Sequence, residues 1–177
     1  MNTANKLTVF RMILIPFFVL FLLTEFTPYN RLIALIIFAI ASITDHLDGR
    51  IARKYNMITT FGKFMDPVAD KLLVSSALIC LTALGEIPAW AVIVIILREF
   101  AISGLRLVAA ENGSVIAADG WGKAKTVSQM AAIIILLLNI EQLYILSQIV
   151  FYISVVLTVI SLIDFMLKNK DMLITDK

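Results

Sequence analysis

Four aspartates and two glycines stand close together in a chain that is otherwise mostly apolar. They occupy residues 45–70, with the spacing D-x2-D-G-x2-A-R-x8-G-x3-D-x3-D. Asp45 and Asp48 are three residues apart, and Asp66 and Asp70 are four apart, so each pair shares one face if its segment is helical. A short linker between two such helices would let the pairs face each other.

Carboxylates that converge in this way need a counter-ion, because they repel one another and raise one another's pKa. An all-oxygen ligand set suits magnesium, manganese or calcium rather than zinc. The alternative is a solvated loop between helices. Asp70 argues against that alternative, since the apolar run Leu72–Leu84 follows it almost directly and carboxylates at membrane depth are costly.

The composition is that of an integral membrane protein. The chain of 177 residues is 60% hydrophobic and 16% charged, with a mean hydropathy of +0.95, whereas soluble domains average about 45–50% apolar and about 25% charged residues. Cys80 is the single cysteine, which excludes a disulfide framework and a cysteine metal site. Without repeats or linkers, residues 1–177 are expected to form one domain.

Apolar runs of membrane-spanning length predict an all-α, polytopic bundle of six transmembrane helices after a short N-terminal interfacial segment. The first run is read as a retained helix, because no small-residue cleavage site follows it. The expected helices are Leu7–Thr24, Arg31 to about Ala52, Thr60 or Phe61 to Leu84, Pro88 to about Ala110, about Lys123 to Leu138, and about Leu143 to Leu167.

Basic residues predict the orientation. If residues 49–63 and 111–125 are cytoplasmic, Arg31 alone flanks the opposite face and Arg98 lies deeper in the membrane. This asymmetry predicts cytoplasmic N- and C-termini and places the aspartates at the cytoplasmic face. Arg11 lies inside the first helix, where it either extends to the headgroups or contacts a lipid phosphate.

The motif from Asp45 to Asp70 resembles the signature of the CDP-alcohol phosphatidyltransferases, with every fixed position and spacing matched. Arg98–Arg106 and Trp121–Thr126 also resemble this family, so the likeness spans roughly Asn5 to Thr126. It implies a bacterial cytoplasmic-membrane enzyme and a homodimer. The expected reaction transfers a phosphatidyl group from CDP-diacylglycerol to an alcohol, with no nucleic-acid partner.

The resemblance also assigns roles at the aspartate motif. It implies that Asp45, Asp48 and Asp66 hold one or two Mg²⁺ or Mn²⁺ ions, and that Asp70 is the general base, with a contact to a second ion left open. His46, between two of the aspartates, is not expected to be a ligand.

Gly49 and Ala52 are implied to let the nucleotide approach the helix backbone, next to Asp45. The alternative for the two small residues is close helix packing. The guanidinium of Arg53 suits a pyrophosphate.

Basic residues further along the chain indicate the acceptor. Arg98 and Arg106 are eight residues apart on one predicted helix and thus roughly aligned; with Lys123 and Lys125 they would form a pocket for an acceptor phosphate. The alternatives are an ion pair of Arg98 with Glu99, and lysines that anchor a helix end.

A phosphate-bearing acceptor favours sn-glycerol 3-phosphate, which gives phosphatidylglycerophosphate and CMP. Inositol phosphate, serine or phosphatidylglycerol remain alternative acceptors. A divalent-cation transporter is the alternative of another class. It would place carboxylates near the bilayer midplane and has no need of the Gly-x2-Ala-Arg sequence.

Overall fold

The computed structural model describes residues 3–54, 60–111 and 120–169, and within these ranges every regular element is helical. The α-helices are α1 (Thr3–Leu23), α2 (Asn30–Lys54), α3 (Thr60–Ala83), α4 (Ala89–Glu111), α5 (Gly120–Leu138) and α6 (Tyr144–Lys168), with a 3₁₀ turn at Glu141–Leu143.

The all-α class and the order of six helices are thereby confirmed. α1 is one continuous helix, so the interfacial lead-in and the first apolar run are not separate elements. Three segments of the described chain are long and apolar enough to cross a membrane: Asn5–Leu23, Gly120–Leu138 and Glu141–Lys168. That all six helices cross the membrane stays a prediction.

Helices α1, α2 and α3 form one compact unit. α1 packs against both α2 and α3, and α2 packs against α3. Phe18 and Phe38 meet at the α1–α2 contact with ring centroids 5.7 Å apart, and both side chains are fully buried. The short connection between the two helices makes them antiparallel neighbours, so the end of α2 lies beside the start of α1.

Two turns close this unit at the ends of its helices. Asn30 accepts hydrogen bonds from the backbone N–H of Thr27, at 2.9 Å, and from its hydroxyl, at 2.8 Å. After α3, Gly85 adopts a φ of 76° and its N–H donates to the carbonyl of Thr82, which is a glycine C-cap. The next residue, Glu86, pairs with Arg31 at the start of α2.

Helices α4, α6 and most of α5 form a second compact unit. α4 packs against α6. The buried face of α6 is lined with hydroxyls, and those of Ser154 and Thr158 donate to carbonyls of their own helix, at 2.7 Å each. These hydroxyls are therefore satisfied locally and need no partner from another helix.

Candidate active site

The aspartate motif occupies the end of α2 and the beginning of α3. Asp45 and Asp48 lie in the second half of α2, while Asp66 and Asp70 lie in the first half of α3. The two helices pack against each other within one unit. The predicted placement of each pair on its own helix is confirmed, and so is the shortness of the linker.

Most side chains of the motif lie outside the described residues. These are the side chains of Asp45, His46, Asp48, Gly49, Ala52, Arg53 and Asp66, together with the whole of residues 55–59. The convergence of the four carboxylates and the role assigned to His46 therefore stay predictions.

Asp70 is the one motif aspartate whose side chain is described. It is exposed, although Ala69 beside it and Leu73 one turn later are buried. The α3 backbone is thus anchored by its apolar face while the Asp70 carboxylate stays on the surface of its unit. A general base needs such access to the proton that it abstracts.

The donor chemistry of the motif fits a hard divalent cation. Aspartates three and four residues apart, on two helices in contact, offer oxygen ligands only, and oxygen is the ligand that Mg²⁺ and Mn²⁺ prefer. Among the side chains that the structure describes, no three His, Cys, Asp or Glu residues form a metal-binding group. Of the four motif aspartates, only Asp70 belongs to that set.

A line of buried polar side chains runs along α1. Asn5, Thr8 and Arg11 are spaced three residues apart and are 6%, 0% and 0% exposed. Arg11 therefore lies inside the protein, and the interpretation of it as a side chain that extends along the lipid surface is wrong. The spacing of three was the sequence signal that could have revealed this polar face.

The helix register places this polar face beside the aspartate motif. From the contact of Phe18 with Phe38, Arg11 lies seven residues back along α1 and Asp45 lies seven residues forward along α2. In antiparallel helices both steps run in the same direction, about 10 Å each. Arg11 is thus at the level where the motif begins, a relationship that sequence reasoning missed.

In the second unit, two cations share one carboxylate oxygen. Glu99 Oε1 accepts from Arg98 Nη1 at 2.8 Å and from Lys125 Nζ at 2.6 Å. Arg98 also donates from Nη2 to the hydroxyl of Ser161 on α6. We call Arg98, Glu99, Lys125 and Ser161 the Glu99 cluster; it joins α4, α5 and α6.

The two cations of the Glu99 cluster are buried, Glu99 itself is half-buried, and the side chains of the cluster sum to one formal positive charge. Arg98 is 7% and Lys125 2% exposed, and one carboxylate stands against the two cations. Buried charges are tolerated only when they are paired and hydrogen-bonded. The ion pair considered from the sequence therefore exists, and the four residues of the cluster hold two cations and one carboxylate.

The other two basic residues of the predicted pocket differ from this pair. Arg106 is half-buried, with its Cζ atom 5.8 Å from the centre of the Phe165 ring. Lys123 is exposed. The structure thus brings Arg98 and Lys125 together, stacks Arg106 on α6, and leaves Lys123 on the surface. Their role in binding an acceptor stays a prediction.

Comparison with known proteins gives a match over most of the chain. A family model described as CDP-alcohol phosphatidyltransferase matches residues 1–160. The chain is similar to the CDP-diacylglycerol–glycerol-3-phosphate 3-phosphatidyltransferase of Bacillus subtilis, at 44% identity over 98% of both chains.

Two further relatives have comparable identity. The protein of the same name from Haemophilus influenzae is 44% identical over 93% of this chain and 91% of its own. A probable phosphatidylglycerophosphate synthase of Mycobacterium tuberculosis is 41% identical over 93% of this chain and 79% of its own. The likeness thus extends well beyond the aspartate motif, into α4, α5 and α6.

Proposed function

The chain belongs to the CDP-alcohol phosphatidyltransferase family, and we propose that it transfers the phosphatidyl group of CDP-diacylglycerol to sn-glycerol 3-phosphate. The products are phosphatidylglycerophosphate and CMP, and the reaction serves phospholipid synthesis. The observation that carries this proposal is that proteins named for this reaction match the chain nearly end to end at 39–44% identity.

The reaction requires one proton transfer and one displacement at phosphorus. The Asp70 carboxylate accepts the proton of the acceptor's primary hydroxyl, whose oxygen then attacks the lipid-side phosphorus of CDP-diacylglycerol. A new P–O bond forms, and the bond between the lipid-side phosphorus and the bridging oxygen of the pyrophosphate breaks. CMP leaves with that oxygen and the electron pair of the broken bond. The exposed position of Asp70 supports its role as the base.

We assign the metal site to Asp45, Asp48, Asp66 and Asp70, which would bind one or two Mg²⁺ or Mn²⁺ ions. When bound there, such an ion would supply positive charge to the pyrophosphate oxygens. The assignment is supported by the all-oxygen donor set on two helices in contact. Burial of Arg11 at the level of Asp45 is compatible with it, because a fixed cation nearby favours the ionised form of the carboxylates, which is the form that binds a metal ion.

The nucleotide is proposed to bind along the last turns of α2. Gly49 and Ala52 lie three residues apart there, next to Asp45, and their small side chains permit close approach to the helix backbone. Arg53 follows in the same helix, where its guanidinium suits the pyrophosphate. These roles rest on the family signature.

The acceptor phosphate is proposed to bind at the Glu99 cluster. Its supporting observation is that two buried cations, Arg98 and Lys125, are held together at one carboxylate oxygen. A pocket of this charge suits an acceptor that carries phosphate, whereas serine would not need it. Arg106 and Lys123 are assigned to the approach to the pocket, since one is half-buried and the other exposed.

Localisation and assembly complete the proposal. Three long apolar helices and bacterial relatives support a place in the bacterial cytoplasmic membrane. The basic residues support cytoplasmic termini and an active site at the cytoplasmic face. A homodimer is proposed from the family resemblance, and the mass of the purified protein measured by light scattering in detergent would test it.

The proposed reaction is tested by acceptor comparison with purified protein and labelled CDP-diacylglycerol. Phosphatidylglycerophosphate and CMP are expected in equal amounts with glycerol 3-phosphate. Product with serine or inositol phosphate, and none with glycerol 3-phosphate, would contradict the proposed acceptor. Divalent-ion flux into vesicles without CMP release would instead support the transporter considered from the sequence.

A further inference from the structure

Gln129 is a buried neutral side chain on α5 to which the family signature gives no role. We propose that its amide group recognises the secondary hydroxyl of the acceptor, and so makes the enzyme specific for a glycerol phosphate over a simpler alkyl phosphate. The inference rests on the proposed function, because it assigns a further residue to the acceptor site.

The first observation is an unmet hydrogen bond. Gln129 is 1% exposed, and within residues 3–54, 60–111 and 120–169 its Nε2 atom has no hydrogen-bond partner. Buried amides almost always have partners, because an unpaired donor loses its water without compensation. The hydroxyls of Ser154 and Thr158 show the usual solution, since each donates to its own helix.

The second observation is the position of Gln129 on α5. It follows Lys125 by four residues, so the two side chains are neighbours on one helix face. Both are buried, and further along α5 Ala132 and Leu136 on the same face are buried as well. Lys125 reaches Glu99 Oε1 at 2.6 Å, so Gln129 lies one turn from the Glu99 cluster.

The third observation is a second donor at the same cluster. Arg98 uses Nη1 and Nη2 in contacts to Glu99 and Ser161, but within the described residues its buried Nε atom has no hydrogen-bond partner. Two buried donors thus remain at and beside a cluster with a net positive charge. These two donors, Gln129 Nε2 and Arg98 Nε, suit a ligand that has both an anionic group and a neutral polar group.

Glycerol 3-phosphate has this combination of groups. Its phosphate suits the charged end of the site, at Arg98 and Lys125. Its secondary hydroxyl is on the carbon next to the phosphate-bearing one, which matches a neutral amide one helix turn from the cations. The N–H of Gln129 would donate to that hydroxyl oxygen, leaving the primary hydroxyl for the reaction.

Substrate analogues separate this role from others. 3-Hydroxypropyl phosphate keeps the phosphate and the reacting primary hydroxyl and lacks only the secondary hydroxyl. A site built to bond a hydroxyl discriminates strongly against an analogue without it. We expect the unmodified enzyme to prefer glycerol 3-phosphate in kcat/KM by about tenfold or more, given one buried hydrogen bond.

The decisive variant is Gln129→Met, because the methionine side chain is similar in length to that of glutamine and has no amide group. We expect its kcat/KM to fall for glycerol 3-phosphate and to stay nearly constant for the analogue, so that the preference disappears. Ser154→Ala is the matched control, a buried polar residue of the same unit, and its preference should equal that of the unmodified enzyme. In Gln129→Asn the amide is one methylene group closer to the backbone, so this variant should also lose the preference. It replaces Gln129→Met in the test if Gln129→Met does not fold.

An unchanged preference in both Gln129 variants would overturn the inference, because Gln129 would then bind the phosphate or only pack. No preference in the unmodified enzyme would overturn it as well. The proposed function fails by a different result, namely no CMP release from the unmodified enzyme with glycerol 3-phosphate.

Discussion

Lys125 on α5, which is buried, and Glu99 on α4, which is half-buried, form an ion pair with Nζ 2.6 Å from Oε1. The same carboxylate oxygen also accepts from Arg98, so one acidic group holds two cations close together. Two like charges that both lie within 2.8 Å of one oxygen repel each other unless an anion lies between them. Glu99 is therefore a positioning residue for the two cations that we assign to the acceptor phosphate.

Glu99→Gln is expected to weaken both stability and acceptor binding. Without the carboxylate, two buried cations lose their counter-charge, and the free energy of unfolding should fall by about 2 kcal/mol. The KM for glycerol 3-phosphate should rise more than kcat falls, because the cations lose their fixed geometry. Thermal unfolding in detergent and initial rates measure the two effects.

Asp164→Asn is the matched control for Glu99→Gln. Asp164 pairs with Lys168 at 2.6 Å, but the lysine side chain is 61% exposed. An exposed pair of this kind contributes about 0–1 kcal/mol. Equal losses of stability in the two variants would contradict the role of Glu99 as the counter-ion of two buried cations.

Lys125→Met and Lys123→Met should differ sharply in acceptor binding. The two lysines are two residues apart on α5 and thus on different faces, one buried and the other exposed. Loss of the buried cation should raise the KM for glycerol 3-phosphate by about tenfold or more, as expected for one charge-assisted hydrogen bond. Loss of the exposed one should change it by about twofold or less, and a reversed order would contradict the assignment of Lys125 to the pocket.

Arg11→Met is expected to abolish most activity. The guanidinium is fully buried on the face of α1 that lies at the level of Asp45, so the substitution removes a positive charge beside the aspartate motif. Phe10→Met, at the neighbouring position, changes a side chain that is 44% exposed and should leave the rate nearly unchanged. CMP release at saturating substrates measures both, and full activity in Arg11→Met would show that the buried cation has no part in the site.

Two glycine-to-alanine substitutions should change stability in opposite directions. Gly85 has a φ of 76°, and an added Cβ would meet nothing within 4 Å, so only backbone strain of about 1 kcal/mol opposes the change. Gly104, inside α4, also has open space around it, and there alanine should stabilise the helix by up to about 1 kcal/mol. Unfolding midpoints in detergent test this contrast, and a shift of the same sign in both would refute it.

Much of the fold follows from the sequence, because apolar runs and turn residues are local signals. The sequence predicts the end of one helix at Leu84 and the start of the next at Pro88, and α4 begins one residue later, at Ala89. The sequence predicts a start of α5 at about Lys123, three residues later than the observed Gly120, because glycines such as those of Gly120-Trp-Gly122 are typical of loops.

Which side of a helix faces inward was harder to predict. α1 is apolar around most of its circumference, and although the three-residue spacing of Asn5, Thr8 and Arg11 marks a polar face, it does not show which helix that face packs against. Likewise, nothing local to α5 distinguishes Lys125 from Lys123, since both are lysines near the same helix end. These orientations depend on packing with neighbouring helices, which single-chain patterns do not contain.

Asp70 is proposed to remove the acceptor's proton in a reaction that also needs a divalent ion. The most direct test is CMP release from CDP-diacylglycerol and glycerol 3-phosphate by purified protein with Asp70 or Asp70→Asn. We expect release by the unmodified enzyme only with Mg²⁺ or Mn²⁺, and a rate lower by about 10²–10⁴-fold in Asp70→Asn, the range for loss of a general base. An Asp70→Asn protein as fast as the unmodified enzyme would contradict the account.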